Sequence, residues 1–365
     1  MAKKILMAVL LPLLLAAVSP APPATQATRP ASPAQASSTP VFPIDVAHSP
    51  APLFDDPVQH GATDPFVLWN PSKKQWFMYY TQRRATLQPT NGVNWVHGSA
   101  IGIASSDDGK TWKYLGTCQG DHDLSEPLKA AGKGPEPGIT WWAPCFLCEG
   151  NTLHMWVTFV DGVYRNWTGN RDIVHFTSDD GVRWKYSDTC ELSSHRVIDP
   201  TVYKVQDTWY MVYKDEADGS RIHRSESKDL KTWKNAVTAS NVGSQEAPFV
   251  FHWKDSWWLI VDALGDKGLR IYKSPTGIDQ FTLNNTVLAA KDGTRPKDNN
   301  VGHHPGIVLQ GGPNNDDQCV LFYFTHQSNQ TVMQVAELEL DKDGKVVCNR
   351  NKYAAAAAGV IGAPR

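Results

Sequence analysis

Three carboxylates and two histidines stand beside prolines at recurring places in this chain. They occur in Asp64-Pro65, Asp199-Pro200, Glu246-Ala247-Pro248 and His303-His304-Pro305, and a fifth instance, Ala143-Pro144, carries no titratable group. Carboxylates crowded together raise one another's pKa. A pair held in opposite protonation states is what acid–base hydrolysis uses, one ionised to activate water and one protonated to serve a leaving group. A fold that needed only turns at these places would gain nothing from the crowding. Single Asp-Pro steps are ordinary turn formers, so the weight rests on the three carboxylates falling at equivalent points of a repeat.

Each proline opens the same phrase, a β-rich run, a turn, and an aromatic-rich second strand. Instances are DPFVLWNPSKKQWFMYYT from Asp64, APCFLCEGNTLHMWVTFV from Ala143 and DPTVYKVQDTWYMVYKDE from Asp199. Two more start at Ala247 and His304, and the prolines lie 79, 56, 48 and 57 residues apart. A second phrase follows most of them, as in IGIASSDDGKTWKYLGTC and IVHFTSDDGVRWKYSDTC. Alternating β-branched and aromatic residues bounded by Asn-Pro and Asp-Gly are strand and hairpin signals. Five units of four strands predict an all-β, five-bladed β-propeller. The innermost strands of such a fold begin at one end of a central channel, so the pre-proline residues converge on a single catalytic funnel.

The rest of the chain frames that domain. Lys3 and Lys4 before the apolar Ile5–Val18 run read as an export signal over residues 1–19, with cleavage between 16 and 27. Residues 20–43, rich in Pro, Ala, Ser and Thr, read as a linker, 44–352 as the propeller and 353–365 as a disordered tail. The product is expected to be secreted or periplasmic, with no membrane contact once the signal is cut. Lys+Arg 35 against Asp+Glu 37 gives a net charge of −2, which offers no basic footprint for nucleic acid. Export permits disulfides, and among the six cysteines Cys319 and Cys348, both in the last repeat, could bridge. Cys145 and Cys148, three apart in a strand, face opposite sides.

The strings TDPFVLW, RVIDPTVYK and SQEAPFVF, together with WWAP, resemble the blade-start motifs of glycoside hydrolase family 43 and its five-bladed relatives. The resemblance spans about Asp64 to His326 and keeps the order Asp, Asp, Glu in blades one, three and four. It implies Asp64 as the general base, Glu246 as the general acid, and Asp199 as the residue that tunes and holds Glu246. It implies no required cofactor, and it puts His304 or His303 near the channel axis beside a water or a calcium ion, making His304 the metal candidate. The neoagaro-oligosaccharide hydrolases are similar in layout and use a histidine as acid, which keeps His303 and His304 open in that role. S-x-D-D-G-x-T-W, ending at Trp112, resembles the Asp-box of sialidases and reads as a structural turn remote from the funnel.

Aromatic walls suit sugar, whose C–H faces stack on rings. Of 14 tryptophans, Trp112, Trp184 and Trp233 repeat as blade packing. Trp141 and Trp142 precede Ala143, and strand alternation turns one toward the funnel and one away. An insertion after the second strand of blade one carries Trp95 and His97, and with Arg84 these are expected to touch substrate. Asn166-Trp167-Thr168 fits a glycosylation acceptor pattern. The partner expected is an oligosaccharide or polysaccharide, cleaved at a terminal α-L-arabinofuranosyl or β-xylosyl unit. A non-catalytic sugar-binding propeller would keep the tryptophans but has no use for the three carboxylates.

Overall fold

The computed structural model describes residues 40, 42–88, 92–119, 124, 138–239 and 243–354. The expected signal, most of the linker and the tail beyond residue 354 lie outside the described residues. Twenty strands form five four-stranded antiparallel sheets, each in chain order from the axis outward. Blade one comprises β1 (Ala62–Asn70), β2 (Gln75–Gln82), β3 (Ala100–Ser106) and β4 (Lys113–Thr117). Blade two runs from β5 (Thr140–Glu149) and β6 (Thr152–Val160) through β7 (Arg171–Ser178) to β8 (Lys185–Thr189). Blade three holds β9 (Val197–Val205), β10 (Thr208–Asp215), β11 (Arg221–Ser227) and β12 (Lys234–Thr238). Blade four holds β13 (Gln245–Trp253), β14 (Ser256–Ala263), β15 (Leu269–Ser274) and β16 (Thr282–Val287). Blade five ends the ring with β17 (Gly302–Gln310), β18 (Gln318–Gln327), β19 (Gln330–Leu340) and β20 (Val346–Cys348). Together they make the five-bladed β-propeller that the repeats imply.

The inner strand of each blade touches those of the next, β1 with β5, β5 with β9, β9 with β13, β13 with β17 and β17 with β1. Inner strands are therefore buried on both faces and carry continuous apolar runs, whereas the outermost β12 is exposed along its whole length. Below the funnel, Phe66 of blade one meets Phe146 of blade two at 5.6 Å and Phe249 of blade four at 5.7 Å. Blades one and four are not neighbours, so these rings span the axis and close the channel. Gly306 is required where β17 crosses β1, since a Cβ there would lie 2.5 Å from the Pro65 carbonyl oxygen. The segment from Phe42 to Gly61 straps blade five to blade one: Gln310 exchanges two 2.8 Å bonds with the Ile44 backbone, and Leu53 donates to the Met333 carbonyl.

The turn between the third and fourth strands repeats in four blades. In blade one Ser106 Oγ accepts the Gly109 N–H at 2.9 Å and Asp108 Oδ1 accepts Thr111 N–H at 2.7 Å. Asp180 accepts Val182 and Arg183 N–H at 2.8 and 2.9 Å, and Asp229 accepts Lys231 and Thr232 N–H at 2.9 and 2.7 Å. Blade four substitutes Thr276 for the aspartate. Trp112, Trp184 and Trp233 then bury beside their turns, with Phe281 at the matching place in blade four. The Asp-box is thus a turn clip in the outer hairpin.

The bridge that Cys319 and Cys348 could have made does not form, and all six cysteines are free thiols. Cys319 pairs with Leu338, and Leu338 pairs with Cys348, so a whole strand separates the two cysteines. Two strand spacings are roughly 9.5 Å, beyond the roughly 7 Å that a disulfide can bridge. Because the Asp-box carboxylates satisfy backbone groups and touch nothing in the funnel, Asp180→Ala is expected to cost about 1 kcal/mol of stability, read as a lowered Tm, with catalytic parameters unchanged.

Candidate active site

The site is made by a fault repeated five times. Each inner strand slips register at its proline, between Thr63 and Phe66, Trp142 and Cys145, Glu246 and Phe249, and His303 and Gly306, with the matching break opposite β10 in blade three. Proline has no N–H to lose, so the ladder breaks there at least cost. The residue before each proline has positive φ: Asp64 54°, Ala143 45°, Asp199 56°, Ala247 52° and His304 46°. Left-handed backbone costs a non-glycine residue about 1–2 kcal/mol, and such strain clusters where function needs it. Here it swings the pre-proline side chains of blades one, three and five toward the axis.

The bulge also pulls the pre-proline N–H of blades two to five out of the ladder, and the preceding blade receives it. Ala143 N–H donates to Thr81 Oγ1 at 2.8 Å, Asp199 N–H to Thr158 Oγ1 at 3.1 Å, and His304 N–H to Asp262 Oδ2 at 3.1 Å. These acceptors occupy one register position, opposite the residue two before the proline. In blade three that position is Lys214, which pairs with Ile198 and has no acceptor. Asp199 Oδ2 takes the Ala247 N–H instead, at 3.0 Å, and so grips the peptide next to Glu246.

Charge is distributed unevenly across the funnel. Asp64 is buried, with Arg83 Nη2 at 3.2 Å, His304 Nδ1 at 3.2 Å, and the Thr63 hydroxyl donating at 3.2 Å. Burial pushes its pKa up, but Arg83 and His304 together outweigh that and hold the carboxyl well below its usual range. Asp199 is equally enclosed, and there burial dominates. With Glu246 and Asp64 adding repulsion and His304 and Lys214 opposing, its pKa is pushed up to about 6. Glu246 is more open, its side chain 35 % exposed, with Lys214 Nζ at 3.0 Å from Oε2. Lys214 also lies 3.5 Å from Glu216, which accepts from Arg171 and Arg196. The sequence suggests Glu246 as the buried carboxyl and Asp199 as its ionised neighbour, whereas the fold encloses Asp199 more deeply. His303 Nδ1 lies 3.0 Å from Asp262 Oδ2, and its ring stacks on Phe324.

These groups line one cavity of about 520 Å³. Asp64, Asp199, Glu246, His303, His304, Trp142 and Trp95 all reach it. Trp141, Arg84 and His97 are not among the lining residues, contrary to expectation. Trp141 is the buried member of its alternating pair and packs on Phe159 and Phe176. Arg84 donates to the carbonyls of His97 and Asn94, which ties the insertion to itself. His97 is fully buried behind Trp142, at a ring distance of 4.9 Å. Arg83, adjacent to Arg84, is the cation that enters the site; from two neighbouring arginines at a strand end, alternation alone does not say which. Glu216, Asp262 and His326, at or just past the ends of second strands, also reach the cavity, as does Trp167 from the acceptor-pattern segment.

His304 itself is a poor direct ligand for a calcium ion at the channel axis. Calcium takes six to eight oxygens, whereas His304 turns Nδ1 to Asp64, and the neighbouring carboxylates push its imidazole toward the protonated form despite burial. Among the described residues no group of three or more His, Cys, Asp or Glu side chains is arranged to hold a metal ion. Direct coordination by His304 does not fit, and no step below runs through a metal.

A family model described as "Probable glycosyl hydrolase domain", family 43-related, matches residues 51–297, ending just before blade five. No curated protein matches. A thermostable family-43 glycoside hydrolase superposes with a TM-score of 0.60 at 18 % identity, covering 81 % of this chain and 96 % of its own. An exo-1,5-α-L-arabinanase from a bovine ruminal metagenomic library gives 0.54 at 15 %, covering 79 % and 97 %. A family 43 β-xylosidase/α-arabinofuranosidase from a compost metagenome, solved with xylotriose in a calcium-free form, gives 0.58 at 16 %, covering 79 % and 94 %. At these identities the structures speak for the fold. Fold and family model together define a five-bladed β-propeller glycoside hydrolase. The chain belongs to the glycosyl hydrolase family 43-related family.

The enclosure of Asp199 has a thermodynamic signature. The folded protein holds this proton more tightly than the unfolded chain, so the stability linked to it is complete below about pH 3.8 and is lost as pH rises through about 6. Asp199→Asn should therefore stabilise the fold over wild type at about pH 8 by on the order of 3 kcal/mol, read as a raised Tm, and hardly at all at about pH 4. Equal shifts at both pH values would mean that burial of the charge is not the cause.

Proposed function

We propose that this chain is an exported exo-acting glycosidase that removes a terminal α-L-arabinofuranosyl or β-xylosyl unit from an oligosaccharide or polysaccharide, with inversion. The observation that carries the reading is the pairing, in one cavity closed at its base, of an Asp64 pinned between Arg83 and His304 with a more open Glu246. Asp64 stays ionised over the working pH range and takes a proton from the attacking water. Glu246 gives its proton to the leaving oxygen. Asp199 fixes the acid from behind through the Ala247 N–H, and Lys214 holds it from the side. Trp142, at the base and hydrogen-bonded to the Val96 carbonyl at 2.7 Å, offers a ring to the terminal sugar. The pentose preference draws support from the arabinanase and the xylosidase/arabinofuranosidase among the similar structures, and export from the Lys3–Val18 signal pattern.

A second reading assigns the acid to His303. It is favoured by the His303–Asp262 pair, in which burial works against the imidazolium but Asp262 more than compensates and raises its pKa. The two readings separate in one assay series on terminal arabinofuranosides, xylosides and anhydro-galactosides. Asp64→Asn and Glu246→Gln should each lower kcat by at least about 10²-fold, the contribution of one acid–base group. His303→Asn should lower it far less. A large loss at His303 with a small one at Glu246 moves the acid to the histidine, and no loss at Asp64 rejects the site.

A further inference from the structure

Trp167 is the only tryptophan among the strongly exposed large apolar side chains of the described residues, 57 % exposed, yet it lines the cavity. An indole left in water forfeits the stabilisation that burial would bring. Its loop, between β6 and β7, is braced. The Val93 N–H donates to the Arg165 carbonyl at 3.0 Å, clasping this loop to the insertion of blade one. Arg196 Nη2 reaches both the Trp167 carbonyl at 3.3 Å and Glu216 at 3.2 Å. Through Glu216 and Lys214 the brace runs on to Glu246. The ring meets Trp142 edge-on, with centroids 6.1 Å apart. Trp142 is 7 % exposed and Trp167 57 %, so the two mark the base and the mouth of one aromatic wall.

Topology decides what the mouth holds. Phe66, Phe146 and Phe249 close the channel, so a glycan enters from one side only and its terminal unit goes to the base. Whatever is cleaved from that unit lies toward the mouth. We propose that Trp167 is the stacking platform for the first sugar of the leaving group, braced by Arg196, which makes this enzyme select glycan leaving groups over small ones. This rests on the hydrolase reading above and names a subsite that reading does not need.

The test compares an oligosaccharide of three units with the corresponding glycosyl fluoride, whose leaving group is too small to stack. Trp167→Ala should lower the ratio of kcat/KM for the trisaccharide over that for the fluoride about tenfold, chiefly through KM, and Trp167→Phe should restore most of it. Equal losses on both substrates would make Trp167 structural, and no loss on either would leave the platform unsupported; both results overturn the proposal. If wild type cleaves none of the arabino-, xylo- or galacto-oligosaccharides tried, the hydrolase reading fails separately. Titration calorimetry of those same oligosaccharides then decides about Trp167: about tenfold weaker binding by Trp167→Ala supports the platform, and unchanged binding or no binding by wild type rejects it.

Discussion

Everything in this molecule that can do chemistry depends on the left-handed residue before the proline of each inner strand. Five strained backbone positions at one level of the inner strands are a cost that the fold carries where it forms the site. In blades one, three and five the left-handed residue turns a titratable side chain toward the channel, and in blades two to five it frees an N–H that the preceding blade accepts. The ring is thereby laced together at the level of the site. Thr81, Thr158 and Asp262 do this lacing in three places, and the exception is informative: where the register demands Lys214, the acceptor moves to Asp199.

That exception organises the electrostatics. A lysine cannot accept a bond, but it can sit beside Glu246, and it displaces the structural duty onto a carboxylate buried between Asp64, His304 and Glu246. Two aspartates at equivalent positions of one repeat thus differ in opposite directions, Asp64 stabilised as an anion by Arg83 and His304, Asp199 driven toward its neutral form by burial. The same Asp-Pro step gives different chemistry because the second strand of its own blade offers Thr81 and Arg83 in blade one and Lys214 in blade three.

The fold could be read from the sequence because repetition averages over local ambiguity. Five proline-opened phrases, with Trp112, Trp184 and Trp233 in step, define blade number and order without any single strand being certain. The pre-proline positions that converge could be read for the same reason. What could not be read is which neighbour each one meets, since that depends on packing between residues far apart in sequence. Arg83 rather than Arg84, Trp142 rather than Trp141, and the strand separating Cys319 from Cys348 are settled by face and register, which shift with one residue. His97 looks like a ligand group in sequence, yet it serves as the backing of Trp142. That Trp167 is exposed and yet lines the cavity is a property of the fold, which its place in an acceptor pattern does not encode.

The central claim is that Asp64 acts on water and not on the sugar, which fixes the stereochemical outcome. Proton NMR recorded within the first moments of hydrolysis, before mutarotation, reads the anomer released at the new reducing end. The account predicts the inverted configuration as the first product, because a water must stand between the Asp64 carboxylate and the anomeric carbon. Release of the retained anomer would make Asp64 a nucleophile and contradict it.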